Sequence, residues 1–542
     1  MRGGRLSSVT TQLLVGGRIY SPTNPDATAF AVDGETVTWV GEDRVGRALH
    51  PDAQVTDLGG AFVAPAFVDT HVHTTATGLQ LIGLDLAGVR SVAECLAAVR
   101  AAAQPLADPA AIVWGHGWDE SRWPEGRAPR TGELDAAAGG RSVYLSRIDV
   151  HSALASTALR GACPELPAAA GYHPDQPLTG EAHHLVRRAA LAALPVADTD
   201  RARRAALDHA AAHGIAAVHE CAGPQVSGVD DLGALLALDH GIEVRAYWGE
   251  AVADADQARA LLETTGAHAL GGDLFIDGAL GSHTAWLHEP YADAPELTGL
   301  AHLDTDTIAA HLRACTEAGI QAGFHVIGDA AVSAAVEALA RVVDEVGGPA
   351  VAARGHRLDH LEMVTDRQAE ALGAWGVIGA VQPAFDAAWG GPGGLYEQRL
   401  GPVRAPALNP LAKLASAGVS LAFGSDAPVT AMDPWAMIRA AVHHHTPGSG
   451  ISPRAAFSAA TRGAWRAGGV RDGLAGTLVP GAPATYAVWE AGDLVVSAPT
   501  DTVQRWSTDP RSRVPALPDL DPSAPTPVCL RTVLRGHTVF AR

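Results

Sequence analysis

Five side chains in this sequence could together hold a metal ion. His71 and His73 stand one residue apart at the end of an apolar run, Phe62-Val-Ala-Pro-Ala-Phe-Val-Asp-Thr-His-Val-His73. Phe62, Val63, Phe67 and Val68 favour extended chain, and side chains i and i+2 of a strand share a face, so both imidazoles point the same way. Later apolar runs end in His325, His360 and Asp426. Four imidazoles and a carboxylate suit Zn²⁺, Fe²⁺, Mn²⁺ or Ni²⁺ better than Ca²⁺ or Mg²⁺, which take oxygen shells. An ion so held makes water acidic and polarises a carbonyl, and Asp426 is placed to take the water's proton and pass it to a leaving group. A lone His-x-His in a chain with 24 histidines reads equally well as two surface residues after a buried strand. Four histidines at equivalent strand ends change that reading.

The elements that must position these groups follow a strand-then-helix rhythm from about residue 61 to 470, the signature of parallel β/α construction. Polar strand ends recur at His219-Glu220, Trp248-Gly249-Glu250, Leu274-Phe275-Ile276-Asp277, Phe324-His325, Asp359-His360, Val381-Gln382 and Ser425-Asp426. With the opening strand they make eight. Alanine-rich helical segments such as Arg201 to His213, Thr305 to Ala318 and Ala330 to Val346 lie between several of them. The fold class expected is α/β: a (β/α)8 TIM barrel over residues 62–470, with chemistry at the C-terminal ends of its strands. Residues 79–200 are too long for one connection and carry their own strands (Ile112 to Trp114, Val143 to Leu145), so they read as an insertion after strand one that caps the substrate. Short alternating runs in residues 1–61 are matched by others in 471–542, including Val503 to Trp506 and Val533 to Phe540. Both ends together make one small β-sandwich.

Composition narrows the function. Of 542 residues, 47% are hydrophobic and 18% charged, as in a globular chain. A net charge of −20 opposes nucleic-acid or anionic-membrane binding, which needs clustered Lys and Arg. The partners expected are a small-molecule substrate and at most a second copy of the chain, a homodimer. The N-terminus has no apolar signal region, no apolar stretch approaches ~20 residues, and the five cysteines are scattered without a Cys-x-x-Cys pair. A cytoplasmic protein is expected. Lys413 is the only lysine.

The ordered pieces Phe67-Val-Asp-Thr-His-Val-His73, Asp277-Gly-Ala-Leu-Gly-Ser-His-Thr-Ala285, His325-Val-Ile-Gly-Asp329, His360, Gly424-Ser-Asp-Ala-Pro428 and the closing Gly476 to Ala484 segment resemble the amidohydrolase superfamily. The branch is amidohydrolase family 3, which includes N-substituted formamide deformylases. Gly117-Trp-Asp-Glu120 and Asp149-Val-His-Ser152 of the insertion match as well. The resemblance implies a metal-dependent hydrolase acting on a carbon–nitrogen bond other than a peptide bond, in an amide, N-acyl or N-formyl group. His71, His73, His325, His360 and Asp426 would be metal ligands, Asp426 and His360 the catalytic pair, and Trp118, His151, Asp277 and His283 substrate contacts. An ester, lactone or cyclic amidine is the rival substrate on the same site. A non-catalytic metal- or ligand-binding relative is the rival of another class, opposed by the retained Asp426.

One departure bears on the metal. Where the family's fourth strand usually carries a lysine, carboxylated to bridge two metals, this chain has Asp273. Lys413 lies elsewhere, so no carboxylated lysine is expected. Asp273 is short and expected to fall below the metal; Glu220, at the end of strand two, is the expected carboxylate ligand or bridge. A single metal, zinc first and Fe²⁺, Mn²⁺ or Ni²⁺ as alternatives, is the expected cofactor.

Overall fold

The computed structural model describes residues 11–106, 108, 111–496 and 514–542. The apolar run ending at the paired histidines is two strands. Phe62–Pro65 pairs antiparallel with Tyr486–Glu490, whereas Phe67–Val72, here β1, pairs in parallel with Ile215–Ala222, β2. The break falls at Pro65-Ala66, because proline has no N–H to give a ladder. Ala66 donates its N–H to the Thr485 carbonyl at 3.3 Å, and Phe67 turns to Gly214 at 2.9 Å. The histidine strand therefore starts at Phe67 and not at Phe62.

Six further parallel strands follow: β3 (Glu243–Trp248), β4 (Ala269–Leu270), β5 (Gly323–Val326), β6 (Arg357–His360), β7 (Ile378–Val381) and β8 (Ser420–Phe423). β1 to β4 form one sheet and β5 to β8 another, each in chain order. Single parallel bridges join the two at both edges, Leu270 with Ala322 and Val72 with Ala427. Since all eight run the same way, their C-terminal ends meet on one side. Helices Val196–Ala212, Thr305–Ala318 and Asp329–Val346 pack on these strands through buried alanines, among them Ala206, Ala210, Ala314, Ala331 and Ala335.

The fourth strand departs from expectation. β4 is only two residues long, and Leu274 to Asp277 is not part of it; Phe275 instead makes an isolated bridge to His325. Gly271 and Gly272 turn the chain inward between them. Gly272 has φ +69°, and a Cβ there would sit 2.9 Å from Cys221 Sγ, so only glycine allows this approach. That turn delivers Asp273.

The insertion carries a five-stranded sheet, in the order Leu178–Thr179, Ser152–Ala155, Val143–Arg147, Val113–Trp118, Leu84–Asp85, with its own buried clusters on either side. His116 ties it to the rest: its Nε2 contacts the Pro428 carbonyl at 2.9 Å, just past Asp426. At the chain ends one sheet (Thr36–Gly41, Ala29–Asp33, Gln12–Val15, Gln54–Asp57) faces another built from both termini (Arg18–Ile19, Phe62–Pro65, Tyr486–Glu490, Val528–Leu534, His537–Ala541). Leu14, Phe30, Val32, Val63, Tyr486, Val488 and Val533 fill the space between them. The expected run Val533 to Phe540 breaks into a hairpin at Arg535-Gly536, both at positive φ, and Val503 to Trp506 lies outside the described residues. Among the described residues no helix is long and apolar enough to cross a membrane.

Candidate metal centre

Six side chains meet where the parallel strands end. His71 Nε2 is 3.3 Å from Asp273 Oδ1 and 3.5 Å from Asp426 Oδ1. His73 Nε2 is 3.2 Å from Asp273 Oδ2 and 3.3 Å from Asp426 Oδ1. His325 Nδ1 lies 3.6 Å from Asp273 Oδ1, and the His325 and His360 rings are 4.4 Å apart. Ligand atoms of His71, His73 and Asp426, and of His71, Asp273 and His360, fall within 4.8 Å of one another in two overlapping sets. His71 Nε2, Asp273 Oδ1, Asp426 Oδ1 and both His360 nitrogens are buried without hydrogen-bond partners. Buried polar atoms are rarely left unsatisfied, and a nitrogen and carboxylate donor set closing on one point fits a divalent transition metal.

The surroundings fix which atom of each ring faces the centre. Asp359 accepts a hydrogen bond from His71 Nδ1 at 2.7 Å; a carboxylate can only accept when ionised, so Nε2 is left bare. Asp359 is held in turn by Arg357, fully buried, whose guanidinium lies 4.4 Å over Tyr247. His325 Nε2 donates to the Gly278 carbonyl at 3.1 Å, leaving Nδ1 for the centre. Asp69 accepts from the backbone N–H of His71 and of Ser425, at 3.3 and 2.8 Å, tying β1 to the loop after β8. His360 and Asp426 both sit at positive φ, 74° and 55°, uncommon for non-glycine residues and concentrated at functional sites.

Charge in the metal-free centre is shared between acids and imidazoles. Burial alone would raise the Asp273 carboxyl; His73 and His71 outweigh it and hold it well below the usual range. Burial alone would lower His71, yet Cys221, Asp426 and Asp273 carry it well above the ordinary value, and Asp273 raises His325 as well. For His360 and His151 the nearby carboxylates, Asp273 for both and Asp149 for His151, do not offset burial. Burial, then the charge of His325, keeps His360 well below the ordinary value and lowers His151 to about 3.

A small pocket opens beside these six side chains, lined by His325, His360 and Asp426 and by Arg147, Asp149 and His151 of the insertion. Its other wall is Leu280, Ile327, Phe385, Trp389, Leu395, Tyr396 and Val429, with Glu362 among them. Burial pushes the Glu362 carboxyl up to about 7 against the opposing effect of Tyr396. Arg147 is enclosed by Asp119, Glu120 and Asp149 at 3.0, 2.9 and 2.8 Å. Arg147, Glu362 and the aromatic wall were not legible as site residues, since they come from separate segments. Glu362 alone left a trace, standing two residues past His360.

Of the expected residues, His71, His73, His325, His360 and Asp426 come together and His151 lines the cavity, its ring 5.1 Å from that of His325. Glu220 does not join the ligand sets: its Oε2 accepts the Thr74 backbone N–H at 2.8 Å, capping the turn after His73. The carboxylate expected to fall short, Asp273, is the one at metal level, because the glycine turn carries its backbone inward. Trp118 is buried in the insertion's core with Nε1 on the Leu145 carbonyl at 2.9 Å. Asp277 accepts three backbone N–H groups, of Trp286, Ile327 and Gly328, at 2.8–3.0 Å; it scaffolds loops and does not face the cavity. His283 pairs with Asp293 at 3.0 Å, also away from the cavity lining. Lys413 lies on helix Leu411–Ser416, 2.8 Å from Asp366.

A model of the amidohydrolase family matches residues 54–540; the chain belongs to that family. It is 27% identical to YtcJ of Bacillus subtilis (strain 168) over 424 residues, 72% of this chain and 75% of that protein. It is 28% identical to the N-substituted formamide deformylase of Arthrobacter pascens over 144 residues, 26% of each chain. The crystal structure of an uncharacterized metal-dependent hydrolase from Pyrococcus furiosus superposes with a TM-score of 0.67 at 26% identity, covering 88% of this chain and 98% of that one.

Proposed function

We propose that the chain is a metal-dependent hydrolase that cleaves a non-peptide carbon–nitrogen bond, an amide, N-acyl or N-formyl group of a small molecule, at the mouth of a (β/α)8 barrel. The observation that carries this reading is the convergence of His71, His73, Asp273, His325, His360 and Asp426, with bare ligand atoms on His71, Asp273, His360 and Asp426, beside a half-open pocket. We assign one cation to the site, zinc first, with His71, His73, Asp273, His360 and Asp426 as its holders. When bound, such an ion supplies Lewis acidity, making water acidic and polarising a carbonyl. The five cysteines of the chain are free and buried, which suits the reducing cytoplasm.

The chain's own residues supply the rest. Asp426 Oδ1 has no hydrogen-bond partner and lies between His71 and His73, where a carboxylate can take a proton from water and return it to the departing nitrogen. His151, kept neutral by burial, can donate one N–H to an oxyanion without carrying charge of its own. Asp359 holds His71 in one tautomer, so the ligand geometry is set before substrate arrives. The insertion, anchored by His116, forms the polar side of the pocket, and the apolar wall opposite receives the acyl or amine substituent.

The test is turnover of a panel of N-formyl, N-acetyl and ester compounds by protein loaded with zinc, iron, manganese or nickel, with metal content measured alongside. Hydrolysis of the amides over the esters is expected, with about one metal per chain. Asp426→Asn should keep most of the metal and lose roughly 10²–10⁴-fold in turnover. Near-normal turnover in that variant removes Asp426 from the mechanism.

A further inference from the structure

This inference rests on the cavity being the substrate site of that hydrolase. We propose that Glu362 and its aromatic neighbours form a cation-binding subsite, so that the preferred substrates carry a positive charge, an ammonium or similar group on an apolar stem, on the far side of the bond cleaved. Glu362 is 2% exposed, lines the cavity, and its Oε2 has no hydrogen-bond partner. The Tyr396 side chain lies alongside, yet its hydroxyl too lacks a bond of ordinary geometry. Among the described residues no lysine, arginine or histidine forms an ion pair with Glu362, although buried carboxylates elsewhere in the chain do: Asp359 has Arg357, and Asp119 and Asp149 share Arg147.

A buried carboxylate oxygen without a donor is costly unless something neutralises or bonds it. Here it faces the space a ligand fills. Phe385, Trp389 and Tyr396 surround the same space, and aromatic faces attract cations. Arg147 is the only arginine or lysine lining the cavity among the described residues, and its three nitrogens already donate to Glu120, Asp149 and Asp119. A carboxylate on the ligand would find no free cation on this wall and would meet Glu362 and Asp149. A cationic group with an apolar stem is complementary, a neutral one tolerated, an anionic one opposed.

Two measurements test this on the full-length, zinc-loaded protein. The first compares kcat/KM at about pH 8, where alkylamines are protonated, for three N-formyl compounds of equal length ending in an ammonium, a methyl or a carboxylate. The cation should exceed the neutral compound by about tenfold or more and the anion should be slowest. Glu362→Gln should bring the cation-to-neutral ratio of kcat/KM within about threefold, and Glu362→Asp should restore part of the preference. The second compares calorimetric binding of choline with that of 3,3-dimethylbutan-1-ol, its neutral isostere; the quaternary nitrogen cannot ligate the metal. Tighter binding of choline, lost in Glu362→Gln, is expected. If no N-formyl compound turns over but choline keeps its Glu362-dependent advantage, the hydrolase reading falls and the subsite stands. If the amides turn over without charge preference and the two probes bind alike, the subsite falls and the hydrolase stands. Should Glu362→Gln fail to fold, the wild-type charge series decides by itself.

Discussion

Replacing Asp273 with asparagine is the sharpest test of how this chain holds its metal without a lysine. The side chain is 6% exposed, with oxygens 3.2–3.6 Å from nitrogens of His71, His73 and His325. Asparagine keeps the volume and one oxygen but loses the charge. Removing one partner of a buried charged pair costs about 3–5 kcal/mol, and about 1.4 kcal/mol is tenfold in a dissociation constant. The retained oxygen keeps the loss toward the lower end, so metal affinity should fall roughly 10²–10³-fold. Glu220→Gln is the control, because Glu220 is engaged by the Thr74 N–H outside the ligand sets; it should cost about tenfold, the lower end for groups that support ligands without binding the metal. Competition for zinc with a chromophoric chelator measures both, and circular dichroism checks that each variant folds. If Glu220→Gln weakens zinc more than Asp273→Asn does, the placement of Asp273 as ligand is wrong.

Asp359→Asn should free the His71 ring and reduce metal affinity about 10–100-fold with little change in the KM of protein saturated with metal; unaltered affinity would show that the His71 tautomer needs no help. Lys413→Arg should leave metal content and rate nearly unchanged, and activity should not respond to bicarbonate, since no lysine approaches the centre; dependence on bicarbonate would contradict this. The last expectation is a pH dependence. In the metal-free protein His71 and His325 are raised above the ordinary histidine value, so the stability they contribute is complete below about pH 6.5 and is lost as pH rises through their folded values. Metal needs the unprotonated rings. The rise in melting temperature produced by saturating zinc should therefore grow from about pH 6 to about pH 8.5; a constant or shrinking increment would refute the assignment.

The sequence by itself determined what rests on local geometry. In a strand, residues two apart share a face, so the spacing of His71 and His73 already suggested a common direction, although the strand ends at Val72 and His73 opens the helix Thr74–Ile82. The recurrence of polar residues after apolar runs located His325, His360 and Asp426, and alanine-rich stretches marked helices such as Thr305–Ala318. What only the tertiary structure decided are partnerships between distant segments and the paths of turns. His71 and Asp359 are 288 residues apart in sequence and 2.7 Å apart in space. Asp273 reaches the metal ligands because Gly271 and Gly272 bend the chain against Cys221 and Gly323, a path that two glycines permit but do not specify. Asp277 and Trp118 look like site residues by position, yet backbone groups claim them, Trp286, Ile327 and Gly328 for the one and Leu145 for the other. Glu362 shares a cavity with the aromatic residues of helices Pro383–Trp389 and Leu395–Arg404 only once these segments have packed over the strand ends. Periodicity is set by the backbone's own dihedrals and can be read along the chain; which side chains lose their water and find one another is set by the packing of strands, loops and insertion, and no stretch of sequence contains it.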